Sequence, residues 1–188
     1  MKRLVTLPIL VVLFALAGGA GEVPRPAPPL DVMSPSGDKI SLAAFKGKVV
    51  LLEFFLTDCP HCQNSARIIM PIYRDWRSRG LEVLGVAINQ SDQKRLIPEF
   101  AQRFGVTYLL GMGRSSMVNE FANLSEVARV FVPYVFIIDR KGVIRYEHPG
   151  GDAFFRDEET NFRTELDLLL KEGTVARKAL KKPAAKGE

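Results

Sequence analysis

Residues 49–56 read Val-Val-Leu-Leu-Glu-Phe-Phe-Leu, apolar at every position except Glu53. So continuous a run suits a strand covered on both faces, which obliges the rest of the chain to supply a layer above it and a layer below. The remaining pattern can do so. Ala66, Ile69, Met70, Tyr73 and Trp76 recur at helical spacing and stop before Gly80, a suitable helix-ending residue. Residues 81–88 form a second strand of the buried type. Residues 92–104 follow as a helix that Ser91 or Asp92 can cap and Gly105 can close. A third strand over 106–110 and a helical stretch over 117–130 come next. Residues 134–138 and 143–147 flank Asp139-Arg140-Lys141-Gly142, the turn chemistry of a hairpin. A last amphipathic helix spans 160–171, with Phe162, Leu166, Leu169 and Leu170 on one side. Ahead of all this, residues 30–32 and 39–42 around Ser36-Gly37-Asp38 suggest a small leading hairpin. Strand–helix–strand alternation closed by an antiparallel hairpin and a helix predicts an α/β fold. It is one sandwich domain, residues 30–172, with a mixed central sheet and helices on both faces.

The ends read differently. Met1-Lys2-Arg3, the apolar residues 4–16 and the small residues Ala17-Gly18-Gly19-Ala20-Gly21 follow the order of a secretory signal peptide over 1–20, cleaved after Ala17 or Ala20. The apolar stretch falls just short of the ~20 residues of a spanning helix. Membrane contact is therefore expected only if this segment stays uncleaved as an anchor. The mature chain is expected outside the cytoplasm, periplasmic or otherwise extracytoplasmic, where disulfides persist. Residues 21–29, with Pro24, Pro26, Pro28 and Pro29, read as an extended linker with no packing face, and residues 173–188 as a disordered basic tail. The excess of 26 Lys and Arg over 21 acids sits on these ends. Lys2 and Arg3, with six bases against two acids in residues 171–188, account for more than the whole +5 and leave residues 21–170 at −1. No basic domain remains to follow a nucleic-acid backbone.

The chain's two cysteines stand together in Cys59-Pro60-His61-Cys62, where the first long strand ends and its helix begins. With Cys59 as N-cap and Pro60 as the first helical residue, the proline's missing N–H costs nothing. Cys62 then follows by nearly one turn, placing the two Cα atoms roughly 5 Å apart, inside the separation a disulfide accepts. Cys59 would face the free N–H groups and positive end of its helix, which favour a thiolate, and His61 would stabilise that anion further. A more stable thiolate is a better leaving group, and it makes the disulfide more oxidising. A structural bridge over so short a loop would constrain little of the unfolded chain. A c-type haem needs His after the second cysteine, where this chain has Gln63, and structural zinc needs four ligands. Copper held by Cys59, Cys62 and His148 stays open, because thiolates and imidazole suit that metal. The other reading of His148, in Tyr146-Glu147-His148-Pro149-Gly150, is a residue at a hairpin end.

Glu53-Phe54-Phe55 leading to Cys59-Pro60-His61-Cys62 resembles the active-site strand and helix of the thioredoxin superfamily, and its dipeptide is typical of DsbA-type oxidases. Over about residues 30–170 the chain is similar to the extracytoplasmic TlpA/ResA-like branch. The matching segments are Leu42-x-x-Phe45-Lys46-Gly47-Lys48-Val49-Val50, Leu84-Gly85-Val86-Ala87 before a helix, and Phe136-Ile137-Ile138-Asp139-Arg140-Lys141-Gly142. This resemblance implies a thioredoxin-like three-layer sandwich. It also implies an exported thiol–disulfide oxidoreductase that exchanges a Cys59–Cys62 dithiol or disulfide with cysteine-containing protein substrates. A separate redox partner protein is implied, and no metal or organic cofactor.

Pro133 falls in the family's cis-proline slot and would set the backbone of Val132 against Cys59, where an extended substrate segment could add as a strand. Glu53 matches the superfamily's buried acid. Its pKa should be raised, and it could take or return the proton of Cys62, the alternative being a strand-end acid that reaches solvent. Pro71 matches the kink of the first helix. Asp58 departs from the family, which has an aromatic residue there, and its charge opposes that of His61. The dipeptide points to an oxidase and the TlpA/ResA-like branch to a reductant, so direction stays open. A peroxiredoxin-type thiol peroxidase is a further alternative. Against it, Leu56 stands where that type carries Thr.

Overall fold

A computed structural model describes residues 22–180, with side chains as far as Glu172. Residues 1–20, expected to be a signal peptide, and residues 181–188, expected to end the tail, lie outside the described residues. Eight strands form one sheet in the order β1-β8-β7-β4-β5-β6-β2-β3. They are β1 Arg25–Pro26, β2 Asp31–Met33, β3 Lys39–Ser41, β4 Val49–Phe55, β5 Leu81–Ala87, β6 Leu109–Met112, β7 Tyr134–Ile138 and β8 Val143–His148. The helices are α1 Pro60–Trp76, α2 Gln93–Phe104, α3 Ser115–Ala122 and α4 Glu158–Leu180. The apolar run becomes β4, buried at all seven positions, parallel to β5 and antiparallel to β7. The mixed α/β sandwich is as expected.

Alternation along β4 divides the core in two. Val49, Leu51 and Phe55 pack with Cys62, Ala66, Ile69 and Ile72 of α1, Ile97 and Phe100 of α2, and Phe162, Leu166, Leu169 and Leu170 of α4. Val50, Leu52 and Phe54 face Val118, Phe121 and Ala122 of α3 and the leading hairpin residues Val32 and Ile40. Each such fully buried side chain contributes about 1.5–3 kcal/mol. Between β7 and β8 the predicted turn is present: the Asp139 carboxylate accepts from the N–H groups of Lys141 and Val143, and Gly142 takes φ +83°.

Four expectations need correction. Residues 21–29 are not a linker without a packing face. Arg25 and Pro26 pair antiparallel with Ile144 and Val143, the Ala27 N–H reaches Gly142 O at 2.9 Å, and Val23 and Ala27 pack against the α3-side core. Proline is tolerated there because the strand is at the edge of the sheet, where one row of N–H groups has no partner to miss. The supposed tail from 173 begins as helix: α4 runs on past Gly173, Thr174 and Val175 to Leu180, its last five residues, Ala176 to Leu180, all being good helix formers. The strand expected at 106–110 lies at Leu109–Met112, where all four residues pair parallel with Leu84–Ala87 of β5, Met112 also pairs with Met33 of β2, and Val32 packs over Gly111. A Cβ at Gly111 would overlap Val32. The helix expected over 117–130 ends at Ala122, because Asn123 adopts a left-handed φ of 55° and closes it.

Candidate active site

β4 carries the chain to the mouth of the site, and its exit is held from β5. Asn89, just past β5, accepts the Thr57 N–H at 3.2 Å and donates to Asp58 at 3.4 Å. Gln93 fixes Asn89 in turn, donating to its carbonyl and, at 2.7 Å, to that of Gly113. Cys59 is the N-cap of α1 with φ −76° and ψ 122°, Pro60 is the first helical residue, and the Gln63 N–H closes the first turn on Cys59 O at 3.0 Å. The spacing argument places these residues correctly.

The two thiols are free and differ in surroundings: Cys59 is half-buried, Cys62 fully buried. Burial, then the charge of Glu53, pushes the Cys62 thiol far above its ordinary value, and the Cys59 thiol lies within hydrogen-bond reach of it. Cys59 Sγ points at Val132 O, 3.9 Å away, and the Val132–Pro133 bond is cis. The 148–152 turn presses on this segment. Gly150 N–H donates to Phe131 O at 3.1 Å, and a Cβ at Gly150 would sit 2.6 Å from the Phe131 carbonyl carbon.

Glu53 sits beneath the cysteine helix at 2% exposure, on the same strand face as Leu51 and Phe55, so the solvent-reaching alternative is excluded. Its Oε1 has no hydrogen-bond partner. Burial, then the nearby Glu158 and Cys59, holds its carboxyl well above the usual range. Its neighbour across the ladder is Gly85, where a Cβ would collide with Leu110 and crowd Phe55 and Tyr108. Tyr108 closes the compartment from the segment between α2 and β6, its hydroxyl pushed up by burial and by the charges of Glu53 and Cys62. His61 is exposed on the first turn and near enough to Glu158 to steady that carboxylate.

Three contributors escaped the sequence reading. Glu158 stands in an acidic run, Asp157-Glu158-Glu159, that resembles an ordinary helix start. Asn89 and Tyr108 carry no periodic signal at all. Conversely, His148 is not brought to the thiols. It ends β8, stacks on Phe154 with centroids 3.8 Å apart, and meets Glu165 at 3.0 Å and Asp152 at 3.4 Å. Among the described residues no group of three or more His, Cys, Asp or Glu side chains is arranged to hold a metal, so the copper set Cys59, Cys62 and His148 is not assembled.

Known proteins give this geometry a family. The thiol-disulfide oxidoreductase ResA of Geobacillus kaustophilus is 28% identical over 119 residues, covering 63% of this chain and 64% of that protein. ResA of Geobacillus thermodenitrificans is 27% identical over 119 residues, with the same coverage. The chain thus spans a little under two thirds of the length of these curated relatives. A crystal structure of a thiol:disulfide interchange protein of the thioredoxin family from Chlorobium tepidum superimposes with a TM-score of 0.64 at 24% identity, over 79% of this chain and 98% of that one. The fold is therefore thioredoxin-like. The AhpC/TSA family model matches residues 23–147, from the N-terminal edge strand through the penultimate residue of β8, and the chain belongs to that family.

Proposed function

We propose that the chain is an extracytoplasmic thiol–disulfide oxidoreductase acting on cysteine-containing proteins through Cys59 and Cys62. One observation carries the reading: a half-exposed thiol at a helix N-terminus, with a second thiol buried behind it and a free-ended carboxyl beneath both. In the reducing direction the Cys59 thiolate attacks a substrate disulfide. A bond forms between Cys59 and one substrate sulfur, and the other substrate sulfur leaves with the electron pair. Cys62 then gives its proton to the Glu53 carboxylate and attacks Cys59, releasing the second substrate sulfur as thiolate and leaving the Cys59–Cys62 disulfide. The two electrons come from the dithiol. Oxidation of a substrate runs the same steps backwards and leaves the dithiol, which a redox partner protein reoxidises to the disulfide by accepting two electrons.

The roles divide by position. Glu53, whose burial raises its affinity for a proton, is matched to a thiol that is itself reluctant to ionise. His61, on the first turn of the same helix, would steady the Cys59 anion when it is protonated or donates a hydrogen bond. The Val132 backbone, held before Pro133 and facing Cys59, is where an extended substrate segment would pair. Export is supported by the order of residues 1–20. Among the described residues no helix is long and apolar enough to cross a membrane.

Cys59→Ser is expected to abolish exchange with a protein disulfide, whereas Cys62→Ser accumulates a mixed disulfide visible by non-reducing electrophoresis. Equal activity in the two variants would refute the assignment. Equilibration with glutathione sets the direction: a potential near about −270 mV makes the protein a reductant, one near about −120 mV an oxidant.

A further inference from the structure

Among the described residues, the carboxyl residues buried on the α1 side of the sheet are Glu53 and Glu158. They approach the same compartment from opposite sides. Glu53 rises from the central strand. Glu158 opens α4 but turns its oxygens onto α1, accepting from Ser65 Oγ and, at 3.3 Å, from Asn64 Nδ2. Ser65 is fully buried, one turn beyond Cys62 on the helix face shared with Ala66 and Ile69. Acids at a helix start ordinarily face their own free N–H groups or solvent cations. The next residue, Glu159, does the latter, accepting from Arg163 at 2.9 Å. Glu158 instead carries its charge inward, where burial opposes it and Ser65, Asn64 and His61 favour it. An amide could satisfy both partners without that electrostatic cost, its oxygen accepting from Asn64 and its N–H donating to Ser65 Oγ with that bond reversed, so the bonds alone do not account for a carboxyl here.

We propose that Glu158 is a positioning residue of the thiol–disulfide site, a second buried carboxyl whose charge governs how readily Glu53 gives up or holds its proton, and hence the pH at which Cys62 can close the disulfide. This rests on Cys59 and Cys62 being the exchanging pair. In the closing step the Cys62 proton passes to the Glu53 carboxylate, the new thiolate attacks Cys59, the Cys59–Cys62 bond forms, and the outgoing sulfur leaves as thiolate. An ionised Glu158 disfavours a second negative charge at Glu53, so the base form of Glu53 appears only at higher pH. The groups facing Glu53 are Cys59 and Cys62 from α1, Tyr108 from the α2–β6 segment and Glu158 from α4. His61 faces Glu158.

The test mixes the reduced full chain with the aromatic disulfide dithiobis(nitrobenzoate) across a pH series. One nitrothiobenzoate leaves when Cys59 is captured and a second when Cys62 closes the bridge, so the second phase reports the step in question. Glu158→Gln is expected to lower the pH midpoint of that phase by about one unit, the scale of a like charge removed at short range in a protein interior. Glu158→Asp, which keeps the charge, holds the wild-type midpoint. In a Glu53→Gln background, Glu158→Gln shifts nothing further. An unmoved midpoint in Glu158→Gln, or an equal shift with Glu53 already neutralised, overturns the proposal. Should Glu158→Gln not fold, a midpoint lowered in Glu158→Asp overturns it as well. A wild-type chain that releases a single equivalent fails differently, because it removes the exchanging-pair reading itself.

Discussion

On the α3 side of the sheet, buried charge is matched. Arg25 pairs with Glu147, donates to Phe121 O at 3.3 Å and lies 5.9 Å from the centre of the Phe136 ring, while Tyr134 gives its hydroxyl to Glu147 at 2.6 Å. Beneath them Phe54, Phe121 and Phe136 meet edge to face or tilted, with centroids 4.8–6.1 Å apart. On the α1 side the same sheet buries Glu53 with one oxygen unpaired, Glu158 within its field, and a thiol that resists ionisation. The contrast shows a division of labour. One face stabilises the sheet, and the other tolerates unfavourable electrostatics, an arrangement that the proposed proton and sulfur chemistry would use.

That contrast can be broken or sharpened by substitution. The largest effect is expected from Phe121→Ala, at about 3–5 kcal/mol of stability by denaturant unfolding, with the alkylation rate of Cys59 little changed. If alkylation falls in step with stability, the two faces are coupled through residues 123–132, which join α3 to Pro133. Arg25→Ala is next, at about 2 kcal/mol for hydrogen bonds to charged partners lost from a half-buried site. It should also speed protease cleavage within residues 22–29, whose edge strand Arg25 straps down. An unchanged cleavage rate would mean the strand is held by its backbone pairing alone.

Glu53→Gln gives the smallest change near pH ~5, and its sign is opposite. Glu53 binds its proton more tightly folded than unfolded, so above its unfolded value near 4.5 the folded state holds the extra proton and stability falls as pH rises. The slope is at most about 1.4 kcal/mol per pH unit, and it ends once Glu53 ionises in the folded protein. Urea unfolding at successive pH values should show wild type losing ground to Glu53→Gln above pH ~5. Parallel curves would mean Glu53 is not the unfavourable group on that face.

The readable parts were local. Strand β4 announces itself because seven consecutive buried residues need no partner to be named. The Asp139–Gly142 turn and the helix mouth at Cys59-Pro60-His61-Cys62 are written in residues whose conformational preferences act within one turn of chain. The misread parts depend on what lies opposite. Four prolines in residues 21–29 look like a spacer until β8 offers an edge, and the strand within 106–112 is set by which residues come into register with β5.

Chain order and side-chain type by themselves determined the sandwich, the order of most of its strands and helices, and two sulfurs one turn apart at a helix entrance. These follow from hydrophobic period and helix-capping stereochemistry, which are short-range. Only the tertiary structure decided that Glu158, more than ninety residues beyond Cys62, turns inward beneath the same helix, and that His148 is spent on Glu165 and Asp152. Electrostatic neighbours are set by distance in space, and sequence separation carries no trace of it.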